Sequence, residues 1–417
     1  MKEKIAFVAA RYGKEINGGA EQHCRMLAER LVGQYDVEVL TTCLKNYRDG
    51  SSGFPEGEEM LEGVLVRRFA TVPVTPGQER RYARRAKGWR RFRHLLYRIK
   101  VLPALSSVIK VWRPGLKQDI ESLRHSLFYS PGMVSFIRGN KDSYKAFIVF
   151  TVDYAPFYFT AVEAGEKTIA VPTLHNAKVS FRPALTEAFS RIRYTGFNTP
   201  AEQKLGKRIF GAALGDSGII GCGIETPEPA LWEDVKKKYS LPDRYLLYIG
   251  RVDGSKTGRI LSYYGEYRRS GDPAPLPLVL AGGIYDRPED MDGIILTGYV
   301  SEEEKRSILQ HASLFINPSY YESLSLVVLE ALNDSVPVLV NGHCEVLREH
   351  CERSGGALHY YMDGRSFTDE IRSITGSPEL QKSMAALGKE YFGKNYSWTP
   401  VMERLTAAIR EVSGSRA

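Results

Sequence analysis

The sequence predicts an α/β protein built as two halves, each an open and mainly parallel sheet with helices on both faces. Three observations carry that prediction. Short β-branched or aromatic runs alternate with helical lengths along the chain, the pattern of parallel strands joined by helical crossovers. The texture breaks around Gly221–Glu233, where two prolines and no sustained period read as a linker. A length of 417 residues suits two domains better than one.

In the first half, residues 1–222, Ile5–Ala10 reads as the opening strand, Asn17-Gly18-Gly19 as the turn after it, and Ala20–Leu31 as a helix. Further strands are expected at Val37–Thr41, Val64–Phe69, Ala146–Thr151, Thr168–Val171, Tyr194–Asn198 and Gly218–Gly221. The second half, residues 223–398, repeats the alternation. Its strands are expected at Tyr245–Ile249, Leu278–Ala281, Ile294–Thr297, Leu314–Ile316 and Val336–Val340. Its helices are expected at Glu302–His311, Ser325–Leu332 and Glu345–Arg353. A last helix near Thr399–Val412 follows the final strand signal, within a closing segment 399–417.

Composition narrows the class. Apolar content of 43% and charged content of 25% are those of a soluble globular chain. No run approaches the ~20 apolar residues of a membrane span. Ile5–Ala10 is too short for a signal-peptide core, so a cytoplasmic protein is expected. Cys24, Cys43, Cys222, Cys344 and Cys351 are too scattered for a secreted disulfide framework. The net charge of +8 has one source. From about 78 to 117, Arg and Lys recur with Glu79 as the only acid, and Tyr82, Ala86, Trp89, Phe92, Leu96 and Ile99 recur at helical spacing. A basic amphipathic helix suits an anionic membrane surface, with Arg84, Arg85, Trp89, Arg90, Arg91 and Phe92 facing it. The competing readings are a helix packed on its own domain with solvated arginines, and, with least weight, a nucleic-acid patch; no nucleic-acid partner is expected.

Ligands of open α/β sheets bind beyond the carboxyl ends of the strands, so the candidate residues are those that follow strands. After Tyr245–Ile249 comes Gly250-Arg251-Val252-Asp253-Gly254-Ser255-Lys256: a turn, then a guanidinium and an ammonium suited to a diphosphate. Gly18 and Gly19 open a helix, where a ligand can approach the backbone and an anion is favoured. The strongest segment runs from Pro318 to Ala331. Ser323 and Ser325 are candidate caps of a helix through Glu330, which apolar Leu324, Leu326, Val327, Val328 and Leu329 predict to be buried. Glu322 and Glu330 would stand ~12 Å apart along such a helix. That is too wide for the ~5 Å pair of a retaining glycosidase, and it suits two grips on one extended ligand. A buried Glu330 needs a partner.

Gly250-Arg251…Lys256, Glu322-x7-Glu330-Ala331 and Pro337-Val338 together resemble glycosyltransferase family 4, the large retaining family with the GT-B fold. Asn17-Gly-Gly-Ala-Glu21, Phe197-Asn198-Thr199 and Tyr396-Ser-Trp398 extend the resemblance over most of the chain. It implies two Rossmann-like domains facing each other across a cleft, the last helix crossing back to the first. It implies transfer of a hexose-type sugar from a nucleotide-diphosphate donor to a glycan or lipid-linked acceptor, with no cofactor and no metal. Arg251, Lys256, Gly18 and Gly19 would hold the diphosphate and Glu330 the ribose. Glu322 with Ser323, Leu324, Ser325 and Leu326 would hold the sugar, and His175 would stand near the reacting centre. A front-face mechanism follows, and the sequence offers no enzymic nucleophile. The setting would be bacterial surface polysaccharide or glycolipid assembly at the inner face of the cytoplasmic membrane. The alternatives are an epimerase or phosphorylase of the same fold, or an inactive nucleotide-sugar-binding protein. Glu322-Ser323 where the family often has Glu-Gly, and Asn333-Asp334-Ser335 before Val336-Pro337, are departures that touch sugar identity more than fold. His343-Cys344 and His350-Cys351 read as core packing rather than a zinc site, and Asp290-Met291-Asp292 as a solvated acidic loop.

Overall fold

A computed structural model describes residues 2–16, 18–46, 53–254, 256–271, 274–288 and 292–414. Asn17, Ser255 and Asp290, all named above, lie outside the described residues. The chain divides into two compact units, Met1–Cys222 with Val401–Ala417, and Gly223–Pro400.

The first unit holds an eight-stranded sheet: β1 (Lys4–Val8), β2 (Asp36–Thr42), β3 (Gly57–Leu61), β4 (Val64–Phe69), β5 (Ala146–Phe150), β6 (Thr168–Val171), β7 (Tyr194–Phe197) and β8 (Asp216–Ile219). Their order is β3-β4-β2-β1-β5-β6-β7-β8. All pairs are parallel except the β3–β4 hairpin at the edge. The central strands are uniformly apolar because helices cover both their faces: every residue of β5 and β6 is buried. Strand β3 escapes the sequence pattern because Gly57–Leu61 is polar and exposed, and it stands on an edge where only one neighbour holds it.

The second unit holds a six-stranded sheet: β9 (Leu246–Ile249), β10 (Leu278–Ala281), β11 (Ile294–Gly298), β12 (Leu314–Asn317), β13 (Val338–Asn341) and β14 (Leu358–Tyr361). The order is β11-β10-β9-β12-β13-β14, all parallel. The sixth strand, β14, is not foreseen, since Leu358-His-Tyr-Tyr is short and half polar. The order reverses between β9 and β12, where adjacent crossovers leave on opposite faces and a crevice opens at the carboxyl ends. Arg251, Lys256 and Glu322 all follow these two strands.

The basic helix, Pro76–Arg98, departs from its expected orientation. Thr75 and Gln78 close a capping box at its start. Its buried stripe contains Ala86 and Arg93, while Trp89, Phe92, Leu95 and Ile99 are exposed. Arg90 is turned inward and is not available to a membrane: its Nε donates to Asp119 Oδ1 at 2.9 Å and its Nη2 to Ser122 Oγ at 3.1 Å. Arg93 is fully buried and donates to the carbonyls of Phe181, Arg182 and Ile209 at 2.9–3.2 Å. Asp119, itself fully buried, also faces Arg182 at 3.7 Å and accepts from Ala184 N at 3.1 Å. Two cations can face inward here because the interior supplies a carboxylate and three carbonyls to receive them. Arg84, Arg85 and Arg91 remain exposed.

Candidate functional site

In the second unit the site begins where β9 ends. Gly250 has φ +151°, and its carbonyl would lie 2.1 Å from a Cβ on Gly282, so the neighbouring strand end must carry glycine. Asp253 is buried; its Oδ1 accepts from Lys256 N at 3.0 Å, and its carbonyl accepts from Thr257 N at 2.8 Å. That closed turn delivers the Lys256 side chain to the end of β12. Lys256 Nζ lies 3.3 Å from Ser319 Oγ and 3.9 Å from Glu322 Oε1. Arg251 Nη1 lies 3.6 Å from Asp253 Oδ2. These ion pairs are loose and partly solvated, so an incoming anion can displace them at small cost.

The turn after β12 is held by asparagines. Asn317 Oδ1 accepts from Ser319 N at 2.9 Å, and its amide donates to Ser325 Oγ at 2.8 Å. Asn341 Nδ2 donates to Pro318 O at 3.2 Å. Ser325 occupies the N-cap of the helix Leu326–Asn333 with φ +73°, a left-handed serine. The expected side-chain cap is not made: the left-handed φ takes Ser325 out of the extended backbone that such a cap uses, and its Oγ accepts from Asn317 instead. The first amides of this helix are therefore left without a side-chain cap, an arrangement that favours a bound anion. Leu324 is buried, and its carbonyl is fixed by His350 Nε2 at 3.1 Å; His350 Nδ1 faces Tyr391 Oη at 2.9 Å. Burial pushes the His350 imidazole down to about 4.

Glu330 lies in a recess of about 270 Å³, lined among others by Thr226, Pro227, Glu302, Lys305 and Arg306. Its Oε1 receives Lys305 Nζ at 3.1 Å, while its Oε2 is buried without a hydrogen-bond partner. Desolvation raises its pKa against the pull of Lys305. The partner that burial demanded is thus Lys305, and one oxygen stays unoccupied.

In the first unit, Gly18 is the extended N-cap of the helix Gly19–Leu31, and no atom lies within 4 Å of a Cβ built on Gly19. Beside Gly18, Arg11 Nε donates to Glu21 Oε1 at 3.0 Å. His175 follows β6, with Nδ1 3.2 Å from Thr173 O and its carbonyl accepting from Ser180 Oγ at 2.6 Å. The buried carboxylate of Glu202 accepts from the backbone amides of Leu174 and Asn198, joining the turns after β6 and β7.

Sequence reasoning missed Ser319, Lys305, Glu202 and Asp119, and it read His350 as core packing without its bond to the Leu324 carbonyl. Thr199-x-x-Glu202 was legible as a helix-start pattern. The others carry no local signal, since their roles depend on pairing across the fold. All five cysteines are buried. Among the described residues no group of three or more His, Cys, Asp or Glu could hold a metal ion, and no helix is long and apolar enough to cross a membrane.

Residues 243–376 match the family described as Glycosyl transferases group 1. Over 196 residues, 43% of this chain and 49% of the other, the sequence is 26% identical to alpha-D-kanosaminyltransferase of Streptomyces kanamyceticus. Over 278 residues, 61% of this chain and 65% of the other, it is 23% identical to alpha-maltose-1-phosphate synthase of Mycobacterium tuberculosis. The matched stretches thus span from about half to just under two thirds of these relatives. Anabaena HepE, solved with UDP and glucose, superposes with a TM-score of 0.63 at 13% identity, covering 98% of this chain and 99% of that one. The likeness is one of fold, the GT-B architecture of two Rossmann-like domains.

Proposed function

We propose that this chain, a glycosyltransferase family 4-type protein of the GT-B fold, transfers a hexose-type sugar from a nucleotide-diphosphate donor to an acceptor hydroxyl with retention of anomeric configuration. The observation that carries this reading is the cluster of Lys256, Ser319 and Glu322 at the adjoining ends of β9 and β12. It places an ammonium and a carboxylate beside the uncapped start of the helix that bears Glu330. A diphosphate is received by Lys256, Arg251 and the first helix amides, the transferred sugar by Glu322, and a ribose hydroxyl by the open Oε2 of Glu330.

The chemistry asked of these groups is electrostatic. As the bond from the anomeric carbon to phosphate breaks, charge grows on the diphosphate, and the two cations stabilise it. The acceptor oxygen bonds to the anomeric carbon on the same face, and its proton passes to the departing phosphate oxygen. This accounting needs neither an enzymic nucleophile nor a resident cofactor.

The setting we propose is surface polysaccharide or glycolipid assembly on a cytoplasmic membrane face. Support comes from the exposed Phe92, Leu95 and Ile99 among exposed Arg84, Arg85 and Arg91. The deciding experiment is a thermal-shift panel of UDP-, GDP- and dTDP-sugars followed by turnover. A donor that raises the melting temperature and is consumed supports the reading, since ligand held only by the folded state stabilises it. Binding without transfer or hydrolysis against any acceptor sinks the enzyme and leaves a binding protein.

A further inference from the structure

The recess around Glu330 is built by two helices and the linker. Lys305 lies on the helix Glu302–Gln310, which a capping box of Ser301 and Glu304 starts. Its Nζ lies 2.5 Å from Glu302 Oε2 and 3.1 Å from Glu330 Oε1. The next residue makes a parallel grip. Arg306 Nη2 lies 2.9 Å from Asp334 Oδ1, and Asp334 stands four residues beyond Glu330, at the C-cap of the helix Leu326–Asn333. Residues four apart share a helix face, so neighbouring cations of one helix hold two acids on a single face of the other. Arg306 Nη1 also donates to the Pro227 carbonyl at 2.5 Å, which fixes the linker as one wall of the recess.

The two grips differ in what they leave over. Both oxygens of Asp334 accept from Arg306, Oδ1 at 2.9 Å and Oδ2 at 3.0 Å, a closed pair. Glu330 gives Oε1 to Lys305, and its buried Oε2 has no hydrogen-bond partner. An unmet buried acceptor calls for a donor, and it accepts most strongly while the carboxylate is charged. Burial opposes that charge most, and Glu302 and Asp334 oppose it too, while Lys305 pulls the other way. The remaining charged groups lining the recess are Arg306, already engaged with Asp334, and Glu225 of the linker. We propose that Lys305 is a positioning residue for donor binding: by holding Oε1 it fixes the carboxylate of Glu330 with Oε2 presented to a ribose hydroxyl. This rests on the glycosyl-transfer reading and on the place given there to Glu330.

The test is the Kd of the nucleotide-sugar found by the panel, measured by calorimetric titration from about pH 6 to about pH 9, a range in which a diphosphate diester does not titrate. Wild type holds its Kd within twofold across the range. Lys305→Met leaves the charge of Glu330 unsupported, so its carboxyl takes up a proton as pH falls. Its Kd is then at least about fivefold weaker at the acid end than at the alkaline end, the difference between a charged and a neutral acceptor. Lys305→Arg restores the flat profile. Lys305→Met combined with Glu330→Gln is flat as well, because the group that titrates is gone. Lys305→Gln replaces the methionine variant if that folds poorly. A Kd unchanged at every pH overturns the proposal, and so does one weakened by the same factor throughout, the mark of a merely structural lysine. A wild type whose own Kd weakens fivefold toward the acid end overturns it, as does loss of folding in both the methionine and the glutamine variants. Glu330→Gln with wild-type affinity sinks instead the ribose assignment, and a wild type that binds no nucleotide-sugar sinks the reading beneath both.

Discussion

Replacing Glu330 with glutamine removes a charge and keeps a shape, and the structure sets how much that matters. Oε1 is occupied by Lys305 at 3.1 Å, so only the unpartnered Oε2 is open to a ribose hydroxyl. A hydrogen bond to a charged group contributes about 1.5–3 kcal/mol and a neutral one about 0.5–1.5. Glu330→Gln therefore costs about 1–2 kcal/mol of donor affinity, a roughly 5- to 30-fold rise in Kd. Stability moves in another way. Burial raises the Glu330 pKa, so between the unfolded and folded values the unfolded chain holds fewer protons. The contribution of this carboxyl is full at pH below the ordinary carboxylate range and is lost as pH rises through its folded value. Glutamine removes that loss, but leaves half-buried Lys305 with Glu302 alone at 2.5 Å. The two effects oppose, and the net change is about 1 kcal/mol or less, a few degrees in melting temperature. Calorimetric titration of the donor beside a thermal melt separates the two. A Kd within twofold of wild type would refute the assignment of Glu330 to the ribose.

Three further outcomes are expected. Arg93→Met leaves the carbonyls of Phe181, Arg182 and Ile209 without their buried donor, a loss of about 3–5 kcal/mol; in a domain of this size that lowers the melting temperature by roughly 6–20 °C, and a change under about 2 °C contradicts the buried clamp. His23 and His350 are both held down to about 4 by burial, from an ordinary 6.5. The unfolded chain thus binds more protons between those values, and stability falls as pH drops from about 6.5 to 4, by up to about 3 kcal/mol for each histidine; a denaturant midpoint that is flat over that range refutes it. Vesicles containing anionic lipid should float the protein, and Arg84→Gln, Arg85→Gln and Arg91→Gln together should abolish that without unfolding it, whereas undiminished flotation removes the membrane assignment.

The fold class was legible because its evidence is periodic. Val64–Phe69, Thr168–Val171 and Leu278–Ala281 are the expected strands residue for residue; the last two are fully buried, and such strands announce themselves as apolar runs. The edge strands β3 and β14 were not, because an edge needs no such run. The candidate site was legible in part. Lys256 and Glu322 follow adjacent strands, and the structure brings them within 3.9 Å. Ser319 between them was invisible, since only the tertiary path of the Lys256 side chain selects it. The basic helix shows a different limit. Composition reveals a cationic stretch from about 78 to 117 but not which cations turn inward, and Arg90 and Arg93 do so because Asp119 and three carbonyls wait for them on other elements. A helix wheel contains none of that information.

Consider finally the ion pairs of the second unit: Arg251 with Asp253, Lys256 with Glu322, Lys305 with Glu330. Each cation faces a carboxylate, and Lys305 a second one in Glu302, so these grips carry no excess of positive charge before any ligand arrives. Such a crevice projects little field into solvent. On the proposed function it would draw in a diphosphate by collision rather than by long-range attraction, and salt would have little to screen during approach. The same pairing gives the vacated crevice a resting state. On the same reading, when product leaves, each cation would fall back on a carboxylate already in place instead of recruiting counterions. Binding is then a change of partners rather than a neutralisation, which allows firm contact with an anion and ready release of it.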